Sequence, residues 1–182
     1  IPVQSGSDEI LKRMGRSKNS RQLRDLLLGI REKAPHAVLR TTIMVGFPGE
    51  SEATFNETVD FARSVRFDRL GGFVYSREEG TPAFDKKLTV SKNAAKEMLE
   101  LLLDEQDRIS AERLSDFKGK VVTVLLEESG ESYTLGRAYN SAPDVDGVVV
   151  LKGHKQEGVF LKARITDTYE HDMEGVVLDE LA

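Results

Sequence analysis

The 182-residue sequence predicts two parts of different fold class, an α/β part over residues 1–117 and a small all-β part over residues 118–182. Three observations predict it. Between Val38 and Ser76 a β-rich run, a capped amphipathic stretch and a second β-rich run follow one another, as in a βαβ unit with parallel strands. A helical periodicity from Lys92 to Ser115 then stops at Lys118-Gly119-Lys120. After Val121 the apolar period drops toward two, in short runs separated by Gly- and Asp-rich turns.

Each element has a local cause. Ser7 is placed to cap a helix carrying Ile10, Leu11 and Met14. Ser20 is placed to cap a second, in which Leu23, Leu26, Leu27 and Ile30 form one stripe before Pro35 stops it. Val38 to Val45 reads as a strand running into Gly46-Phe47-Pro48-Gly49-Glu50, and Ser51 opens a helix with Phe55, Val59 and Ala62 on one face. Leu70 to Ser76 is the next strand. Ser91 caps the long helix, whose apolar positions are Ala95, Met98, Leu102, Ile109 and Leu114. Strands near 121–127, 132–139, 147–152, 158–166 and 173–178 predict a small antiparallel barrel.

Composition narrows the function. With 39% hydrophobic and 31% charged residues the chain can bury a core, which argues against disorder. The absence of cysteine excludes disulfides, a Cys nucleophile and thiolate-held zinc or iron–sulfur groups supplied by this chain. His36, His154 and His171 are far apart, so no self-contained metal site is expected. No apolar run approaches a membrane span, and Ile1-Pro2-Val3 is followed at once by polar residues, so a cytoplasmic protein without a membrane partner is expected. Residues 1–117 balance nineteen Lys+Arg against nineteen Asp+Glu. Residues 118–182 carry seven against twelve, and the whole net charge of −5 lies there. That tail lacks a nucleic-acid footprint on average and suits a basic protein.

Thr41 to Glu50 is the most informative stretch. Gly46 and Gly49 around Phe47-Pro48 permit a sharp turn at the C-terminal end of a strand, where α/β barrels and open α/β sheets bind ligands. Glu50 then stands at a helix start, placed to complement its dipole or to accept a hydrogen bond from a ligand. Gln4 and Ser5 precede Gly6 in a similar turn, and Arg16 after Met14-Gly15 offers a guanidinium for a carboxylate. Tyr75-Ser76-Arg77-Glu78-Glu79-Gly80-Thr81-Pro82 closes the next strand. Three polar, Gly-containing strand ends point to one ligand face. Each alone is equally served by a plain βα turn with no ligand. Neither a phosphate-binding P-loop, a Ser-His-Asp triad nor a carboxylate pair stands out.

Three ordered blocks carry a resemblance: Ile1 to Asp8 with Leu11, Met14 and Arg16; Arg40 to Glu50; and Phe73 to Thr81. Together they closely resemble the radical S-adenosylmethionine methylthiotransferases. Ala37 to Thr42, the Glu78-Glu79-Gly80-Thr81 loop, Ala142 to Gly147 and Tyr169 to Gly175 look like the branch that modifies a ribosomal protein, with the tRNA-modifying branch as the alternative. The resemblance implies the C-terminal part of a radical-enzyme partial TIM-like (β/α) barrel over 1–117 and a TRAM domain, a small β-barrel, over 118–182. It further implies a fragment without the N-terminal domain and the C-x-x-x-C-x-x-C strand, inactive by itself.

The family chemistry implied is reductive cleavage of S-adenosylmethionine at a 4Fe-4S cluster. Hydrogen is then abstracted from the β-carbon of an aspartate in small-subunit ribosomal protein twelve, where a methylthio group is installed with a second 4Fe-4S cluster. Neither cluster is expected to bind this chain. The family's cofactor contacts map onto Gln4, Ser5 and Arg16, onto Val45, Gly46, Phe47, Pro48, Gly49 and Glu50, and onto Tyr75 and Ser76. No catalytic or metal-ligating residue is assigned. The implied partner is that ribosomal protein, met through the acidic TRAM domain. A tRNA substrate, or a role as an RNA- or ribosomal-protein-binding module, are the competing expectations.

Overall fold

A computed structural model describes residues 1–180. The chain divides into two units, Ile1–Ile109 and Ser110–Ala182. The sequence places the change of class after residue 117, whereas the division falls within the long helix. Leu114, near that helix's end, is buried with the apolar residues of the second unit.

In the first unit α1 (Asp8–Arg13), α2 (Ser20–Lys33), β1 (Arg40–Val45), α3 (Glu52–Val65) and β2 (Arg69–Val74) precede α4 (Lys92–Ser115). β1 and β2 pair in parallel, from Arg40 opposite Arg69 to Val45 opposite Val74. The start of the chain joins them through a parallel bridge from Gln4 to Ile43. The core collects Leu27, Ile43, Val45, Phe61, Phe67 and Leu102, all essentially inaccessible. Each such side chain contributes about 1.5–3 kcal/mol through removal from water. Gly6 is required by close approach, because a Cβ there would lie 2.4 Å from the Phe61 Cβ and 2.8 Å from the Thr58 Cα.

Two caps differ from the sequence expectation. α2 is capped by Asn19 rather than Ser20: Asn19 Oδ1 accepts from the Gln22 N–H (2.9 Å) while Gln22 Oε1 accepts from the Asn19 N–H (3.1 Å). Counting from Asn19 puts Gln22 at the position where a side chain can return the bond, whereas counting from Ser20 puts the apolar Leu23 there. Ser7 occupies the cap position of α1, but its side chain makes no cap bond. Ser51 caps α3 in a capping box with Thr54, and Ser91 Oγ accepts from the Ala94 N–H at the start of α4, both as expected.

The second unit contains β3 (Val121–Ser129), β4 (Tyr133–Ala138), β5 (Val149–Lys152), β6 (Phe160–Thr168) and β7 (Met173–Glu180), closed in the order β3-β4-β5-β7-β6. Val122, Val124 and Leu126 of β3 and Leu161, Ala163 and Ile165 of β6 point inward, and their neighbours Thr123 and Lys162 point out. Four ladders are antiparallel, but β5 and β7 pair in parallel, from Val149 opposite Met173 to Leu151 opposite Gly175. The small antiparallel barrel of the sequence expectation is thus found, with the β5–β7 ladder departing from it in direction. A closed ring of five strands cannot alternate direction all the way round, so at least one neighbouring pair must run the same way. No described helix is long and apolar enough to cross a membrane.

Candidate functional site

The parallel register brings three loops to one edge of the first unit's sheet, since Gln4, Val45 and Val74 all stand at strand ends of the same polarity. Gln4 is locked there. Its N–H donates to the Thr42 carbonyl (2.9 Å) and its carbonyl accepts from the Met44 N–H (2.9 Å), while its φ of 75° turns the chain toward α1. At the end of α1 the Arg16 N–H donates to the Leu11 carbonyl (2.9 Å), which returns the chain to the same edge.

A cleft of about 360 Å³ lies at this edge. Met14, Met44, Phe47 and Ala83 form its apolar wall, and Gln4 adds an amide. Lys12, Arg13, Arg16 and Lys86 bring four cations, while none of the described residues lining it is acidic. Phe47 is held by the edge of Tyr75, with ring centroids 5.2 Å apart at 75°. Arg13 is partly neutralised by Glu9, which accepts from its Nε (3.0 Å) and Nη2 (2.9 Å). Arg16 is exposed and makes no side-chain bond among the described residues. An apolar, aromatic wall beside unneutralised guanidinium charge suits a ligand that is flat and apolar at one end and carboxylate-bearing at the other.

The Gly46–Glu50 loop supplies Phe47 to this wall. Gly46 (φ 75°) and Gly49 (φ 98°) both occupy backbone conformations that glycine favours, as the sequence implies. Gly49 has a second reason, because a Cβ would come within 2.6 Å of Arg13 Nε. Glu50 departs from its expected place: its carboxylate turns beneath the loop, is buried, and accepts from the Gly46 N–H. Burial pushes its pKa up from 4.5 to about 7, with the Gly46 hydrogen bond pulling the other way. Ser51, one residue later, serves the helix end instead.

The remaining candidates separate. Ser5 is fully buried, its hydroxyl 3.1 Å from Thr58 Oγ1 and accepting from the Ser7 N–H, so it belongs to the packing of α3 against the chain start rather than to the cleft. Val45 and Pro48 are buried, Ser76 is exposed, and none of the three lines the cleft. The Tyr75 hydroxyl is buried without a protein partner. Of the eleven sequence candidates the cleft therefore unites Gln4, Arg16 and Phe47, with Tyr75 behind Phe47. Sequence reasoning missed Lys12, Arg13, Met14, Ala83 and Lys86, and it held Met44, Thr81 and Pro82 only as parts of the strand-end loops. The run Lys12-Arg13-Met14-Gly15-Arg16, three cations around a helix end, was the available signal.

A family model described as the TRAM domain matches residues 119–178, which is the closed barrel. Over 178 residues, 98% of its length, the chain is 48% identical to the ribosomal protein uS12 methylthiotransferase RimO of Thermotoga petrophila. The chain is homologous to RimO. It is also 46% identical over 180 residues to the RimO of Pseudothermotoga lettingae and 42% over 180 residues to that of Thermosipho africanus. The chain spans about two fifths of the length of these RimO relatives, 41–42%.

Proposed function

We propose that this chain is the cofactor-contacting and substrate-docking part of a radical S-adenosylmethionine methylthiotransferase that adds a methylthio group to the β-carbon of an aspartate in ribosomal protein uS12. What carries the reading is similarity along 98% of the chain to proteins named uS12 methylthiotransferases. In it, residues 1–117 are the C-terminal part of the radical-enzyme core, residues 118–182 are the TRAM domain, and the reaction belongs to the cytoplasm, where ribosomes are made.

The cleft fits S-adenosylmethionine by the chemistry of its lining. Phe47, Met44 and Met14 offer an apolar wall for the adenine, and Arg16 offers a bidentate guanidinium for the amino-acid carboxylate. Gln4 supplies an amide, and Tyr75 backs Phe47 from behind the cleft. When bound, S-adenosylmethionine supplies the radical chemistry and the methyl group. The residues of this chain bind and orient it. The two 4Fe-4S clusters do not fit here, because the chain has no thiolate to ligate them. The acidic barrel, with twelve Asp+Glu against seven Lys+Arg over 118–182, complements a basic ribosomal protein.

The test is anaerobic turnover of the full-length, cluster-reconstituted protein with S-adenosylmethionine, a reductant, ribosomal subunits and tRNA, followed by mass spectrometry of both products. A methylthio increment on an aspartate of uS12 is expected. An increment on a tRNA adenosine overturns the substrate, and no increment on either overturns the activity.

A further inference from the structure

Thr89 lies in the segment that leads into α4, far along the chain from the loop it touches. Its Oγ1 accepts from the Gly49 N–H (3.1 Å) and donates to the Glu50 carbonyl (2.6 Å). One hydroxyl thereby satisfies a donor and an acceptor on neighbouring residues of a loop that has no ladder to satisfy them. Thr89 and Glu50 line a separate cleft of about 520 Å³, not the cationic one, so neither is placed to touch a ligand in the latter.

The effect of Thr89 on the cationic cleft passes through Gly49. The Gly49 Cα lies so close to the Arg13 guanidinium that a Cβ would meet Nε, Cδ and Cζ at 2.6–2.7 Å. Phe47, two residues earlier, forms the apolar wall. Where Thr89 holds the Gly49 amide therefore sets both the position of Arg13 and the depth of Phe47. Among the described residues the Gly49 N–H bonds Thr89 alone, whereas the Gly46 N–H has the Glu50 carboxylate.

We propose that Thr89 is a positioning residue for the cationic cleft, its hydroxyl holding the Gly49-Glu50 segment so that Arg13 and Phe47 stand where bound S-adenosylmethionine needs them. The inference rests on the cofactor reading above. Valine has the shape of threonine but neither hydrogen-bonding role, and serine keeps both, so the pair Thr89→Val and Thr89→Ser separates the hydroxyl from the packing.

The measurements are the Kd of S-adenosylmethionine by titration calorimetry on the full-length, cluster-bearing protein and the deuterium exchange of residues 46–50 in the ligand-free protein. Thr89→Val is expected to weaken binding about tenfold and Thr89→Ser to stay within about twofold of the parent, the loss of one to two net hydrogen bonds. Exchange over 46–50 is expected to quicken in the valine variant and return in the serine one. A valine variant that binds as tightly as the parent, or a serine variant as weak as the valine one, overturns the proposal. If the parent protein binds no S-adenosylmethionine, the cofactor reading fails, and the loop-holding role then stands or falls on exchange alone, with unchanged exchange in Thr89→Val overturning it.

Discussion

The carboxylate of Glu50 accepts a hydrogen bond from the backbone amide of Gly46, four residues earlier, and so ties the two ends of the loop that carries Phe47. The tie is made inside the protein, where an ionised carboxylate is poorly solvated. Loop geometry and proton binding are therefore linked at this residue.

Stability is expected to fall as pH rises from about 4.5 to about 7. Glu50 titrates near 4.5 when unfolded and at about 7 when folded, so between these values the folded state holds more protons and raising the pH favours unfolding. The full penalty, on the order of 3 kcal/mol, is present above pH 7 and absent below 4.5. Glu50→Gln keeps an acceptor for Gly46 and removes the charge. Denaturant melts across pH 4.5–8 are expected to show a flatter profile and higher stability at pH 8 in the glutamine variant; an unchanged slope rules out Glu50 as its source.

Gly49→Ala is expected to disturb the cleft more than its size suggests. The added Cβ meets Arg13 at 2.6 Å and must adopt a φ of 98° that alanine rarely takes. A stability loss of about 1–3 kcal/mol is expected from the backbone strain. Under the proposed cofactor reading, affinity for S-adenosylmethionine is expected to fall with it, as Arg13 is displaced. Melting and calorimetry on the same sample check both effects.

Arg16→Ala separates binding from folding. The side chain is exposed and makes no bond among the described residues, so the melting temperature is expected to stay unchanged. Loss of a bidentate guanidinium to a carboxylate is expected to weaken S-adenosylmethionine about tenfold or more. Equal affinity in this variant removes Arg16 from the site.

Gly6→Ala is expected to disrupt the packing of α3 against the chain start. Its Cβ would overlap the Phe61 Cβ at 2.4 Å and the Thr58 Cα at 2.8 Å, and the second contact is backbone that cannot rotate away. α3 must shift, at a cost of about 1–3 kcal/mol or more. The Gly6 amide also donates to Thr58 Oγ1 at 3.1 Å, a bond that the shift stretches. Thermal melts of this variant against Gly29→Ala, where a Cβ meets nothing within 4 Å, test the claim.

Most of the fold was legible because its causes are local. The Ser51 cap, the Ser91 cap, the β-rich runs Val38 to Val45 and Leu70 to Ser76, found as Arg40–Val45 and Arg69–Val74, and the alternation of Val122, Val124 and Leu126 each depend on residues within one or two turns of themselves. The Asn19 cap was misplaced by one residue because the deciding partner, Gln22, lies on the far side of the first turn and only one register lets it reach back. The parallel β5–β7 ladder follows from closing five strands, a count that becomes a constraint only once the sheet is known to close.

The candidate site divides along the same line. By itself the sequence determined that three strand ends carry polar, glycine-containing loops, that Gly46 and Gly49 would turn sharply, and that Arg16 follows the end of the first helix. Only the tertiary structure decided that the Ser5 hydroxyl turns to Thr58, that the Glu50 carboxylate turns inward to Gly46, and that Lys12, Arg13 and Lys86 share one cleft with Phe47. Glycine conformations, caps and strand periods are properties of a few consecutive residues. The direction of a side chain at a loop is set by which distant element packs behind it, and neither that element nor the loss of water it imposes is written at the residue itself.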